Sequence, residues 1–227
     1  HILENCSTDN SLEIANQFKA RYPDKFTIHQ SPSLLDPETN FNRIFSIESS
    51  SKYLCWMGAH DEWEPNLLKA CTDQLDADPS IALCYPRGAF INENDNVIPT
   101  KNIVTGETLT TIPGFYDTRG LDPQSRIMLI IHGMPYCYQY YGVYRKKLLL
   151  TSRNSCPSTQ RIVGPDLVHL CELAKYGNIV GVDKPSSRIL MRKMPTHGSW
   201  KSYYSKLDID QSNAMQSLWN TIDSFNA

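Results

Sequence analysis

Residues 52–65 read KYLCWMGAHDEWEP, and this stretch constrains the fold more than any other. Lys52 to Met57 is a short run of apolar, aromatic and sulfur side chains, the pattern of a strand buried on both faces. Gly58 and Ala59 then allow a turn or a close backbone approach. His60, Asp61 and Glu62 follow as three consecutive ligand-type side chains, placed at the strand's C-terminal end. From Pro65 onward the spacing predicts a helix. In open α/β sheets ligands gather at the carboxyl ends of strands. Adjacent carboxylates repel each other unless a cation lies between them, and hard oxygen ligands suit Mg²⁺ or Mn²⁺, ions that hold phosphates. The bland alternative is an acidic loop joining a strand to a helix.

The rest of the chain alternates strand and helix patterns. Residues 1–5 read as a strand end. The polar turn 6–11 follows, with Asn10 and Glu13 spaced for a cap. Leu12, Ala15 and Phe18 mark a helix ending before Pro23, and 26–29 form a strand. This is a parallel βαβ signature, whose helix N-terminus offers N–H groups to anions. A loop is expected over 31–40 and a helix over 42–49. Leu67, Leu68, Cys71 and Leu75 give the helix after Pro65 one apolar face. Strands are expected at 81–85, at 90–91 and 97–98 around the turn 92–96, and at 179–182 and 187–191. Helices are expected at 123–131, 146–150 and 165–176, the last with Leu167, Leu170, Cys171 and Ala174 buried. The tyrosine run 136–144 reads as a packed strand or as a wall for a sugar ring. Arg192, Lys193 and His197 fall near a loop, and an amphipathic tail over 203–225 reads as a closing helix. No repeat or linker is visible, so one domain over 1–227 is expected.

Composition narrows the function classes. With 227 residues, 41% hydrophobic and 20% charged, the chain is ordinary for a globular protein. A net charge of −2 gives no basic footprint for nucleic acid. The seven cysteines form no C-x-x-C pair and read as reduced and mostly buried, in a cytoplasmic-type environment. The longest aliphatic run, Ile127 to Ile131, is far below the ~18 residues of a membrane span. No signal peptide is visible. Attachment to the inner face of a membrane through a partner stays open, and oligomeric state is not legible. The chain opens at His1 in mid-strand, so a domain missing its first strand is expected.

Several segments together resemble the inverting glycosyltransferases of family 2, with the GT-A fold. They are ENCSTDNSLEIANQF, NFNRIF, KYLCWMGAHDEWEPNLLKACTDQLDADPSIALCYPRGAFINENDNVI, DTRGLDPQSR, YGVYRKKLL and GPDLVHLCELAKYG. They occur in the family's order and cover most of residues 2–192. The resemblance implies an α/β fold with a mixed, mainly parallel sheet flanked by helices. Residues 1–98 would be the nucleotide-sugar-binding half and 99–227 the acceptor side with the C-terminal helix. It implies Glu4 and Asn5 at the nucleotide base, Glu4 standing where the family has Asp. Asn42 and Arg43 would frame the donor, as would Asp61. Asp61 and Glu62 match a metal motif that usually reads His-Asp-Asp, with His197 a third ligand of Mn²⁺ or Mg²⁺. Asp166 matches the catalytic base. Tyr140, Tyr141 and Arg145 fall on the acceptor side, with Gly142 between them. The family's opening strand and its Pro-x-Tyr-Asn-type loop have no counterpart here.

The implied activity is metal-dependent, inverting transfer of a sugar from a nucleotide sugar to a hydroxyl of a glycan or glycolipid, as in polysaccharide synthesis. Two readings from other classes stand beside it. A non-catalytic nucleotide- or glycan-binding module is favoured by Glu62 and the missing strand, and opposed by Asp61 and Asp166. A Mg²⁺-dependent phosphatase would need a nucleophilic Asp at the first strand's end, where this chain has Glu4-Asn5.

Overall fold

The computed structural model of the protein describes residues 1–59, 61–101, 105–133, 137–155 and 165–190. The tail 203–225, Arg192 and Lys193 lie outside them. The chain forms two compact units, 1–50 and 51–227.

In the first unit, β1 (Ile2–Glu4), α1 (Ser11–Arg21) and β2 (Ile28–Gln30) form the expected parallel βαβ unit, with Leu3 opposite His29. The turn into α1 uses Asp9, not Asn10, as its side-chain acceptor: Ser11 N–H donates to Asp9 Oδ1 at 3.0 Å. A short helix α2 (Pro37–Asn42) replaces part of the loop expected over 31–40. Its cause is local, since Asp36 caps it through Thr39 N–H at 3.0 Å and Pro37 pre-sets the first turn. The helix expected over 42–49 is a single 3₁₀ turn, Arg43–Ser46.

The second unit contains β3 (Tyr53–Cys55), β4 (Asp61–Trp63), α3 (Leu67–Ala77), β5 (Ile81–Ile91), a small hairpin of β6 (Thr100–Lys101) and β7 (Thr108–Leu109), α4 (Pro123–Gly133), a 3₁₀ turn (Tyr138–Tyr141), β8 (Val143–Arg145), α5 (Lys146–Ser155), α6 (Pro165–Ala174) and β9 (Asn178–Leu190). Five strands make one sheet in the order β3-β8-β5-β9-β4. The mixed α/β class is as expected, but the balance differs. Only β5–β9 is parallel in this sheet, and β3–β8, β5–β8 and β4–β9 are antiparallel. The three-residue strands β3, β4 and β8 all pair antiparallel with their neighbours.

Two expected pairs of strands are each one strand. β5 absorbs 81–85 and 90–91, and β9 absorbs 179–182 and 187–190. The ladder shifts register between Pro86 and Gly88, and Pro86, which has no N–H to donate, is accommodated at that irregularity. Leu67, Cys71 and Leu75 of α3 pack on Ile81, Cys84, Val143 and Val180, whereas Leu68, expected on that face, is 48% exposed. Gly142 joins the 3₁₀ turn to β8 where a Cβ would lie 2.7 Å from the Cys84 carbonyl oxygen, so only glycine fits.

Behind that turn four rings pack together. Trp56 stacks on Tyr140 at 5.1 Å between centroids. His169 of α6 meets Tyr140, Tyr144 and Trp56 edge-on at 5.4, 5.7 and 6.3 Å. The Tyr144 hydroxyl donates to the Tyr140 carbonyl at 2.7 Å. Burial among these rings pushes the His169 imidazole down to about 4. A histidine with a lowered folded value binds its proton more readily when unfolded, so its contribution is full above about pH 6.5 and is lost as pH falls toward 4. Urea unfolding should therefore show a loss of roughly 3 kcal/mol between pH 7 and pH 4 that His169→Phe lacks.

Candidate active site

The first unit carries the residues expected at the nucleotide. The Ser7 N–H donates to Glu4 Oε1 at 2.6 Å and, as the main cause, holds that carboxyl below its ordinary range. Asn5 is turned inward: its amide pairs with the Leu35 backbone twice, at 2.9 Å each way. Arg43 donates to the Glu4 carbonyl (2.9 Å), the Asn40 side chain (2.9 Å) and the His29 carbonyl (2.6 Å). It thus fastens the C-terminal ends of β1 and β2 together, a task its sequence position did not announce. Asn42 is exposed at the end of α2.

The second unit carries the acidic pair. Asp61 N–H donates to the Gly58 carbonyl at 3.1 Å, closing a tight turn. A Cβ on Gly58 would sit 2.7 Å from Asp61 Oδ2, so the glycine makes room for this carboxylate. Asp61–Trp63 is not a loop at a strand end but the edge strand β4, paired with β9. Successive strand residues face opposite ways, and here Asp61 is half-buried while Glu62 is exposed. The two carboxylates therefore do not converge on one point. His60 and His197 lie outside the described residues. Among the described residues no three His, Cys, Asp or Glu side chains are grouped to hold a metal ion.

Asp166 stands in the first turn of α6, where the unpaired N–H groups of a helix start favour an acid. Burial nevertheless raises its carboxyl above the ordinary range. Its charge acts on the Cys137 thiol, on Tyr144 and on Tyr141. Burial first, then the charges of Asp166 and Asp61, push the Tyr141 phenol up to about 12. The Tyr141 ring packs edge-on against Tyr140 at 5.6 Å. Tyr140 in turn spends a ring face on Trp56. Arg145 does not join this group. Its guanidinium donates to the carbonyls of Ile81 (2.9 Å), Asp78 (3.0 Å) and Leu75, closing the end of α3 over the start of β5.

Sequence reasoning missed Cys137 as a neighbour of Asp166, and Trp56 and His169 as ring partners of Tyr140. His169 had a signal, because three residues beyond Asp166 is the same face of a helix. Cys137 had none, its position being set by a left-handed backbone (φ 49°) that opens the 3₁₀ turn.

This arrangement has relatives. The family model for glycosyl transferase family 2 matches residues 1–150. No curated protein matches the sequence. Among solved structures, S. aureus TarS 1–349 in complex with UDP-GlcNAc is similar at 14% identity and a TM-score of 0.57, covering 96% of this chain and 60% of that one. TarS 1–349 in complex with UDP gives 13% identity, a TM-score of 0.55, and 96% and 59% coverage. At such identities the likeness shows the fold, and the chain spans about three fifths of the TarS 1–349 chains it matches. By the extent of the family match, and in agreement with its fold, the chain belongs to glycosyl transferase family 2.

Proposed function

We propose that the protein is an inverting glycosyltransferase that moves a sugar from a nucleotide-sugar donor to a hydroxyl of a glycan or glycolipid acceptor. The observation that carries this reading is Asp166 in the first turn of α6, its carboxyl raised by burial, in a family 2 chain. The TarS complexes with UDP-GlcNAc and UDP favour a uridine diphosphate donor. Free thiols at all six described cysteines fit a reducing, cytoplasmic-type compartment.

Asp61 is the protein group that would hold a divalent cation, Mn²⁺ or Mg²⁺. Its single carboxylate, with Glu62 on the other face, fits an ion shared with a diphosphate better than an all-protein cage. When bound, such an ion supplies positive charge against the leaving diphosphate. The chain's own chemistry centres on Asp166. Its ionised carboxylate accepts the proton of the acceptor hydroxyl as that oxygen attacks the anomeric carbon. The bond from that carbon to the phosphate oxygen breaks on the opposite face, and its electron pair leaves with the diphosphate. One in-line displacement inverts the anomeric centre. Burial suits Asp166 to this work, because a raised carboxyl is a stronger base than an exposed one.

The second reading, a nucleotide- or glycan-binding module without turnover, is favoured by the divergence of Asp61 and Glu62. Asp166→Asn separates the two. Transfer should fall about 10²- to 10⁴-fold while nucleotide binding, read by calorimetry, stays unchanged. The acid limb should vanish with it: in the wild type the rate falls as pH drops through the raised Asp166 value, because the base is then protonated. The melting temperature should not fall, since the substitution removes a buried charge. A wild type that binds nucleotide sugar and never turns it over would favour the binding module.

A further inference from the structure

The first unit carries two histidines that the transferase reading does not use. β1 and β2 run parallel with Leu3 opposite His29, so His1, two residues before Leu3, lies on the same face of the pair as His29. There His1 Nδ1 and His29 Nε2 stand 3.0 Å apart, with the ring centroids at 5.2 Å and the planes tilted by 44°. Two neutral imidazoles at that distance make one N–H···N hydrogen bond. The same two nitrogens are also near the separation that a metal ion imposes. Zinc–imidazole bonds of about 2.0–2.1 Å at a tetrahedral angle put two nitrogens about 3.3–3.4 Å apart, so the rings need part by only a few tenths of an ångström.

The surroundings suit an ion. Both rings border a cavity of about 550 Å³ whose lining includes Leu3, Thr27, Arg43 and Glu48. The backbone under each ring is held by pairing. Ile2, beside His1, donates to the Thr27 carbonyl at 2.8 Å, and the His29 carbonyl accepts from Arg43 at 2.6 Å. Ligands carried on paired strands keep their spacing before an ion arrives. The Arg43 charge is the one unfavourable feature, but its guanidinium is tied to the Glu4 and His29 carbonyls and to Asn40, and the Glu48 carboxylate lines the same space. Imidazole nitrogen favours zinc, copper and nickel, whereas Mg²⁺ and Mn²⁺ favour oxygen, so this pair and Asp61 would take different ions.

We propose that His1 and His29 form a two-histidine site for a divalent transition-metal ion of the zinc class. The ion replaces the N–H···N hydrogen bond. His1 Nδ1 and His29 Nε2 each give it a lone pair, and the ring that had donated moves its proton to its other nitrogen, so the neutral pair releases none. Water fills the remaining positions, since no third protein ligand is grouped with the two histidines among the described residues. Held by both strands, the ion clips β1 to β2 and stabilises the folded unit in proportion to its concentration. The proposal does not depend on the transferase reading.

The test titrates Zn²⁺ into the full chain and into His1→Ala, His29→Ala and His132→Ala by calorimetry, with Mg²⁺ in excess throughout to fill oxygen sites. Histidine ring signals are followed by NMR in parallel. The wild type should take up Zn²⁺ with the His1 and His29 ring signals shifting together, and its melting temperature should rise with Zn²⁺. His1→Ala and His29→Ala should each weaken binding by at least about 10-fold, the loss that removing even an outer partner of a metal site brings. His1 is exposed, so its replacement tests the site without disturbing the fold. His132→Ala, an exposed change on α4, should match the wild type. A wild type that binds no Zn²⁺ leaves the pair as a hydrogen bond only and overturns the proposal. Binding that survives both His1→Ala and His29→Ala puts the ion on other groups, the thiols among them, and overturns it too.

Discussion

The pairing of β5 with β9 is the constraint on which the second unit depends. The two strands run parallel side by side from Ile81 and Asn178 to Ile91 and Leu190. On its other edge β9 carries β4, and therefore Asp61. On its other edge β5 carries β8, and therefore the turn that ends in Tyr141. Segments separated by more than a hundred residues are thus joined through one ladder. The irregularity at Pro86–Gly88 lets the ladder run on past a residue that cannot donate. A slip of one residue would turn every side chain to the wrong face, Asp61 among them.

Burial does the rest of the work around the acids. A carboxylate in water is screened, but the same group among rings interacts strongly with its neighbours. Asp166 is raised by burial, His169 is lowered by it, and Tyr141 is raised by burial and by two charges together. The same burial thus raises a carboxyl and a phenol and lowers an imidazole, in each case favouring the uncharged form. The histidine stays neutral within the stack and adds no charge three residues along the helix from Asp166.

Part of the fold was legible in residues 52–65, where an apolar run and a glycine predict a strand and a turn in that order, and both are present. Asp166 was legible too, since it opens a strongly patterned helix. What was hidden was non-local. Asp61–Trp63 shows no alternation of its own and becomes a strand only because β9 reaches it more than a hundred residues later. Arg43 and Arg145 look like free cations in sequence, yet each spends its guanidinium on carbonyls brought in by distant elements. The tyrosine run was ambiguous for the same reason. Whether Tyr140 faces a ligand or another ring depends on Trp56, more than eighty positions away. Asp36-Pro37 was the one local signal passed over, because a six-residue helix leaves little periodicity to read.

The account stands on Asp61 as the protein's hold on a nucleotide diphosphate. Calorimetric titration of UDP into the chain and into Asp61→Ala, each with and without Mn²⁺, tests it most directly. The account predicts binding that requires the cation and disappears with Asp61→Ala while the fold, followed by circular dichroism, is unchanged. UDP, GDP and dTDP all failing to bind the folded wild type, or UDP binding equally to Asp61→Ala, would contradict it.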